Sequence, residues 1–408
     1  MVDGLIGVEL DSRRHPGSDA SRFGQKDCMV RELGKLVTTA VLVAAMSGPL
    51  PAAEPAARAI ERSNSSKSTK TSKLRKRLLP SRYRGYAPTY ADSVSADDPS
   101  FDDPVVREAA VSALGRYNGS VVAVDPNTGR ILAVVNQKIA FSDGYIPCST
   151  IKPTIAIAAL AENVITSDTM LKVSRRKYMN LTEALAHSNN VFFEELGRRM
   201  GFETVSKYGR LLGLGELSGY NLPDEHPGSF PTQPPAFGGV ARMSSFGEGI
   251  QITPLQLAAI AAAFANGGTL YYLQYPHSQE EVQNFEPRVK RDLNISNVLP
   301  QVREGMLAAV LYGTGRLSYD AGGEETPLGK TGTCDDRANP SRIGWFVSYA
   351  DEAHPKIALA VLLRGNTRRV KGPTAAQVAG VIYRKLREQN YFAETAKGAA
   401  VPTSSSGK

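Results

Sequence analysis

Apolar residues recur along this chain in distinct rhythms, and their order predicts the elements of a fold. PVVREAAVSALGRY, opening near Asp103, spaces its apolar positions as a short helix does. SVVAVDPNTGRILAVVN follows as two apolar runs about a Pro-Asn-Thr-Gly turn, which predicts a hairpin. From Ser149 to about Gly268 the spacing is mostly helical, as in TIKPTIAIAALAENV, LTEALAHSNNVFFEELGRRMG and TPLQLAAIAAAFANGG, the last two closed by Gly. Strand-like runs return in ETPLGKTGTC, RIGWFVSYAD and KIALAVLLRG, and TAAQVAGVIYRKLREQ reads as a final helix. Two early strands and three late ones make one sheet if the early hairpin returns to pair with the late strands. The expected class is α/β (α+β): a mainly antiparallel five-stranded sheet covered by helices, plus a helical lobe.

Upstream the pattern changes. Residues 54–103 are poor in large apolar side chains and rich in Ser, Pro and charge, the composition of a disordered linker. The net charge of +8 is concentrated between Arg58 and Arg84, so the remainder is nearly balanced and nucleic acid is a weak reading. Residues 36–46, LVTTAVLVAAM, lie between Arg31 and Lys35 on one side and SGPLPAAEPAA on the other, the order of a secretory signal. The run is short of the roughly 20 apolar residues a membrane-spanning helix needs. Met29 opens a stretch that is a complete signal by itself, so translation is expected to start there, with residues 1–28 and Cys28 never made. A peptide from residues 1–28 in a mass spectrum would refute that start. The expected divisions are an extension and signal (1–53), a basic linker (54–103), a catalytic domain (104–392) and a tail (393–408). Export to the periplasm or to the outer face of the inner membrane follows from the signal.

Three short motifs carry chemistry. In Ser149-Thr-Ile-Lys152, residues i and i+3 at a helix start share a face, so the amine reaches the hydroxyl. A serine needs a base to become a nucleophile. A lysine serves when burial and nearby positive charge lower its pKa. Alone the pattern is weak, since roughly one or two chance matches arise in a chain of this length; Ser174-Arg-Arg-Lys177 is one. Ser188-Asn-Asn190 sets a hydroxyl and an amide two residues apart, suited to a proton relay and a substrate hydrogen bond, or simply to a helix cap. Lys330-Thr-Gly-Thr333, on an expected strand, offers an amine and hydroxyls to an anion, with Gly332 allowing close backbone approach.

In this order, the three motifs resemble those of the transpeptidase domain of penicillin-binding proteins, over roughly residues 104–390. LGLGELSGYNLPDEHPGSFP, SSFGEGIQITPLQLAAIAAAFANGG, VREGMLAAVLYGTGRLS and RIGWFVSYA extend the resemblance. It implies that Ser149 attacks the D-Ala-D-Ala bond of a peptidoglycan stem peptide, with Lys152 as general base and Ser188 as proton shuttle to the leaving amine. It also implies that Asn190 holds a donor-peptide amide, Lys330 tunes the electrostatics, and Thr331 and Thr333 bind the terminal carboxylate. The backbone N–H groups of Ser149 and Thr333 would form the oxyanion hole. β-Lactams would acylate the same serine. No metal or cofactor is implied, and the sparse His and Cys lack metal-site spacing.

The residue before the nucleophile is Cys148, and Cys334 lies two past Gly332. This placement resembles that of class A carbapenem-hydrolysing β-lactamases, which implies a Cys148–Cys334 disulfide. The resemblance leaves rivals to a transpeptidase. A D,D-carboxypeptidase would use water as acceptor. A class A β-lactamase would need a Glu-x-x-x-Asn loop after Ser188-Asn-Asn190, and none is present; class D enzymes have Val where Asn190 stands. A β-lactam sensor or wall-synthesis scaffold is the further rival, although every catalytic position is filled. Stem peptides, β-lactams and cell-wall synthesis proteins are the expected partners, with weak contact of the basic linker to lipid headgroups or anionic polymers.

Overall fold

The computed structural model describes residues 85–393, apart from 143, 221, 321, 322, 324, 325, 338, 351 and 352. The expected signal, the start at Met29, the basic run up to Arg84 and nearly all of the tail lie outside the described residues. Residues 85–103 read as linker by composition, yet they pack on the domain. Thr89 is buried and its hydroxyl bonds Asn366 and Thr367, Tyr90 bridges Tyr117, and Asp97 accepts from Arg107 at 2.8 Å. Their polar side chains find partners on the domain, which composition does not reveal.

Helix α1 (Pro104–Leu114) begins at Asp103, whose carboxylate accepts from the backbone N–H groups of Val105 and Val106. Strands β1 (Gly119–Val124) and β2 (Ile131–Val135) form the expected hairpin, and α2 (Gln137–Phe141) follows. A 3₁₀ turn, Cys148–Ile151, runs into α3 (Lys152–Ala161). Next comes a small hairpin that the sequence patterning misses, β3 (Leu171–Ser174) with β4 (Lys177–Met179).

The stretch expected as one helix from Leu181 is divided: α4 (Leu181–Ala186) stops before Ser188, which sits at φ 55°, and α5 (Asn190–Leu211) starts beyond it and is itself broken by a kink at Gly201 (φ 74°), the glycine expected to close the helix. A left-handed residue cannot continue a right-handed helix. Then come α6 (Gly239–Phe246), α7 (Pro254–Ala265), β5 (Thr269–Tyr271), α8 (Gln279–Gln283), β6 (Val289–Asp292) and α9 (Leu299–Leu311). The chain closes with β7 (Leu328–Asp336), β8 (Ser341–Ala350), β9 (Ile357–Gly365) and α10 (Gly372–Glu388).

The main sheet has the order β2-β1-β9-β8-β7, every neighbour antiparallel, so the early hairpin does join the late strands through β1 and β9. Its residues alternate between two cores. Val121, Leu359, Val361 and Phe346 pack with α1 and α10; Val122, Ala360, Leu362 and Trp345 pack with α3, α5 and α7. A sheet covered on both faces needs apolar residues at every position, which is why these strands read as continuous rather than alternating runs. α7 is buried along its whole length, as an all-round apolar helix must be. A capping box fixes its start, with Thr253 Oγ1 accepting from Gln256 N and the Gln256 side chain accepting from Thr253 N. β7 is left at one edge, and there it meets the 3₁₀ turn that carries Ser149.

Candidate active site

The three motifs converge on one cleft of about 360 Å³, lined by Ser149, Ser188, Asn190, Thr314, Thr331 and Thr333 among others. Ser149 comes from the turn before α3, and Lys152 from its first residue, wholly buried. Ser188 occupies the left-handed link between α4 and α5. The middle residue of that motif does the capping: Asn189 Oδ1 accepts from Phe192 N at 2.9 Å. That leaves Ser188 and Asn190 on either side of it free to face the cleft. Lys330 enters from β7 and is also fully buried.

Four oxygens surround Lys152 Nζ: Asn190 Oδ1 at 2.6 Å, the Ser188 carbonyl at 2.8 Å, Ser149 Oγ at 3.0 Å and Ser188 Oγ at 3.1 Å. Lys330 Nζ lies 2.8 Å from Ser188 Oγ and 3.0 Å from the Thr331 carbonyl. Ser188 Oγ therefore bridges two amines. Burial first, and the neighbouring Lys330 second, hold the Lys152 amine well below the ordinary lysine range, with Glu194 opposing. Burial lowers Lys330 to about 7. A neutral Lys152 can give its two N–H groups to the two oxygens that bear no proton, the Ser188 carbonyl and Asn190 Oδ1. Its lone pair is then left for a hydroxyl proton. Ser149 is mostly buried yet lines the cleft, so a base and an addressable hydroxyl stand side by side.

β7 is held against the turn that carries Ser149 in several ways. Gly332 sits so close that a Cβ there would come 2.9 Å from the Pro147 carbonyl and 3.2 Å from Cys148 Cβ. A disulfide joins Cys148 to Cys334, with the Cα atoms 5.7 Å apart. Trp345 Nε1 donates to the Ile146 carbonyl at 3.0 Å, Ile146 N donates to Asp336 at 3.2 Å, and Asn339 donates to the Gly144 carbonyl at 3.0 Å.

Sequence reasoning missed several residues of the cleft. Thr314, in the loop after α9, accepts from the Thr331 hydroxyl at 2.6 Å; Phe246, Arg342, Lys371 and Pro373 also line the space. Gly372 N, at the head of α10, donates to Thr333 Oγ1 at 2.7 Å. The YGTG segment holding Thr314 was part of the resembling stretch and was the available signal. Ser174 and Lys177, the chance match, pair across the β3–β4 hairpin and do not line the cleft. No group of three or more His, Cys, Asp or Glu side chains is placed to hold a metal ion among the described residues.

The family model for the penicillin binding protein transpeptidase domain matches residues 119–384. Stage V sporulation protein D of Bacillus subtilis is 28% identical over 313 residues, covering 64% of this chain and 48% of that protein. Peptidoglycan D,D-transpeptidase FtsI of Escherichia coli is 27% identical over 305 residues, covering 65% of this chain and 50% of that protein. The chain thus spans about half the length of these curated relatives. Among solved structures, the transpeptidase domain of Burkholderia pseudomallei penicillin-binding protein 3 aligns with a TM-score of 0.61 at 21% identity, over 74% of this chain and 98% of that one. The crystal structure of PBPA from Mycobacterium tuberculosis aligns with a TM-score of 0.60 at 23% identity, over 69% and 78%. With a match over more than half its length and the family's fold, the chain belongs to the penicillin-binding protein transpeptidase domain family.

Proposed function

We propose that this protein is a peptidoglycan D,D-transpeptidase that works through an acyl-enzyme on Ser149. The observation that carries the reading is the 3.0 Å approach of a fully buried Lys152 amine to Ser149 Oγ. Lys152 takes the hydroxyl proton as Ser149 Oγ attacks the carbonyl carbon between the two terminal D-Ala residues. The backbone N–H groups of Ser149 and Thr333 receive the oxyanion; losing one donor of that kind typically costs about 10²–10³ in rate. The proton passes from Lys152 through Ser188 Oγ to the departing amine, a path supported by the 3.1 Å contact between them. The C–N bond breaks, D-Ala leaves, and an ester remains on Ser149 until an acceptor amine attacks it. Asn190 aligns the donor peptide, Thr331 and Thr333 bind its terminal carboxylate, and the buried Lys330 tunes the electrostatics of the site from behind Ser188. β-Lactams, which present a strained amide and a carboxylate, acylate Ser149 in the same way.

A site outside the cytoplasm accords with the Cys148–Cys334 disulfide, since such bonds persist in oxidising compartments. No helix among the described residues is long and apolar enough to cross a membrane.

The test is intact mass after penicillin treatment, followed over time, with Ser149→Ala as control. A penicilloyl adduct on Ser149 that lasts many minutes is expected. Rapid loss of the adduct with drug hydrolysis would make the protein a β-lactamase, and no adduct at all would leave a scaffold.

A further inference from the structure

The β3–β4 hairpin takes no part in the catalytic cleft, and its surface has an unusual make-up. Lys172, Arg175, Arg176 and Lys177 are all exposed. None of the four side chains has a hydrogen-bond or ion-pair partner among the described residues. Asp168 is the single acid between residues 165 and 179. Two apolar side chains stand out among the cations: Met170 is 56% exposed and Tyr178 54%. Leu171, Val173 and Met179 point the other way, into the main core, so the hairpin is anchored while its outer face stays open. Lys172 lies opposite Tyr178 and Ser174 opposite Lys177, with Arg175 and Arg176 making the turn between them.

We infer that this hairpin is a docking surface for an anionic phospholipid membrane. Solvated surfaces usually mix both signs of charge, and this one does not. A soluble polyanion would need only the cations. An exposed tyrosine and methionine set among cations match the headgroup boundary of a bilayer, where aromatic rings and long side chains place an apolar body inward and a polar end in water. Four cations and two apolar tips make the contact peripheral, reversible and sensitive to salt. The surface is independent of the catalytic reading, apart from sharing its compartment.

The full chain also carries the basic run from Arg58 to Arg84, so the test needs a reporter on the hairpin itself. Tyr178→Trp supplies one, because the chain's single tryptophan, Trp345, is fully buried and gives a constant background. With vesicles of phosphatidylglycerol and phosphatidylcholine, emission from position 178 is expected to shift to the blue and to be quenched by brominated lipid. Pure phosphatidylcholine vesicles should produce neither effect. Adding Arg175→Glu and Arg176→Glu should raise the vesicle concentration needed for half of the position-178 response at least about tenfold, and Lys172→Gln with Lys177→Gln serves if the charge reversal impairs folding. Unchanged emission at position 178 while the protein pellets with vesicles would overturn the inference and leave binding to the N-terminal run. A response to soluble polyglycerol phosphate but not to vesicles would also overturn it, in favour of a wall polymer. Penicillin acylation of Ser149, measured on the same samples, reports separately on the catalytic reading.

Discussion

A lysine amine surrounded by four oxygens has two consistent protonation states, and burial selects between them. As an ammonium, Lys152 would be a buried cation beside the second buried lysine, Lys330, with no carboxylate among its hydrogen-bond partners. As an amine it serves two carbonyl-type acceptors and keeps a lone pair for a hydroxyl. Lys152→Met separates chemistry from packing: acylation by penicillin should fall about 10²–10⁴-fold, while thermal unfolding should not move downward, since a desolvated amine has been exchanged for an apolar side chain of similar length. A fall in both would mean that the lysine network holds the site together. The two lysines also set the pH dependence. Protonation silences Lys152 as a base, so acylation should rise with pH as its proton leaves. Lys330, at about 7, loses on further rise the charge that the proposed mechanism uses to tune the site. The profile of the second-order acylation constant should therefore be bell-shaped, its alkaline limb starting near neutrality. The limbs belong to the coupled pair rather than to either residue alone. A steady increase to alkaline pH would show that the charge on Lys330 is not needed.

At the scale of elements, function depends on how closely β7 approaches the 3₁₀ turn, and Gly332 sets that distance. A methyl group there would meet the Pro147 carbonyl at 2.9 Å, with Cys148 Cβ and Thr150 Cγ2 each at 3.2 Å, and neither backbone can yield while the disulfide ties them. Gly332→Ala should destabilise the protein by about 1–3 kcal/mol and slow acylation more than unfolding midpoints alone would suggest, as read by the two assays on one preparation. The same contact shows what the sequence could and could not reveal. Lys330-Thr-Gly-Thr333 was legible because its chemistry is contiguous in the sequence. Thr314 was signalled only by the resembling YGTG stretch and not by its own chemistry, because its partner Thr331 is brought near by the packing of α9 against β7, and no local spacing records that. The break at Ser188 escaped for another reason. Apolar residues keep helical spacing through LTEALAHSNNVFFEEL, and hydrophobic periodicity is blind to one left-handed residue. The polar Ser-Asn-Asn was the only cue. The β3–β4 hairpin is three to four residues a side, too short for a period-two signal to stand out.

For the whole molecule, the disulfide links positions 186 residues apart, from the start of the helical region to the edge strand of the sheet. Its main effect falls on the unfolded chain, which it forbids to expand; a loop this long gives roughly 5 kcal/mol as an upper figure, and typical measured values are about 2–4 kcal/mol. The native site, by contrast, has other ties. Three hydrogen bonds hold Gly144 and Ile146 to the β7–β8 end of the sheet, and Trp345, one of the donors, is fully buried. Stability and site geometry should then respond differently to loss of the bond. Replacing both cysteines, Cys148→Ala with Cys334→Ala, is expected to lower the melting temperature by roughly 5–15 °C while leaving penicillin acylation of Ser149 within a few-fold of the parent at 25 °C, roughly the temperature to which these energies refer. Reduction by dithiothreitol should reproduce the result without any substitution. If acylation collapsed in a protein still folded by circular dichroism, the hydrogen bonds alone would be insufficient, and the disulfide would have to be counted among the groups that set the proposed oxyanion hole between Ser149 and Thr333.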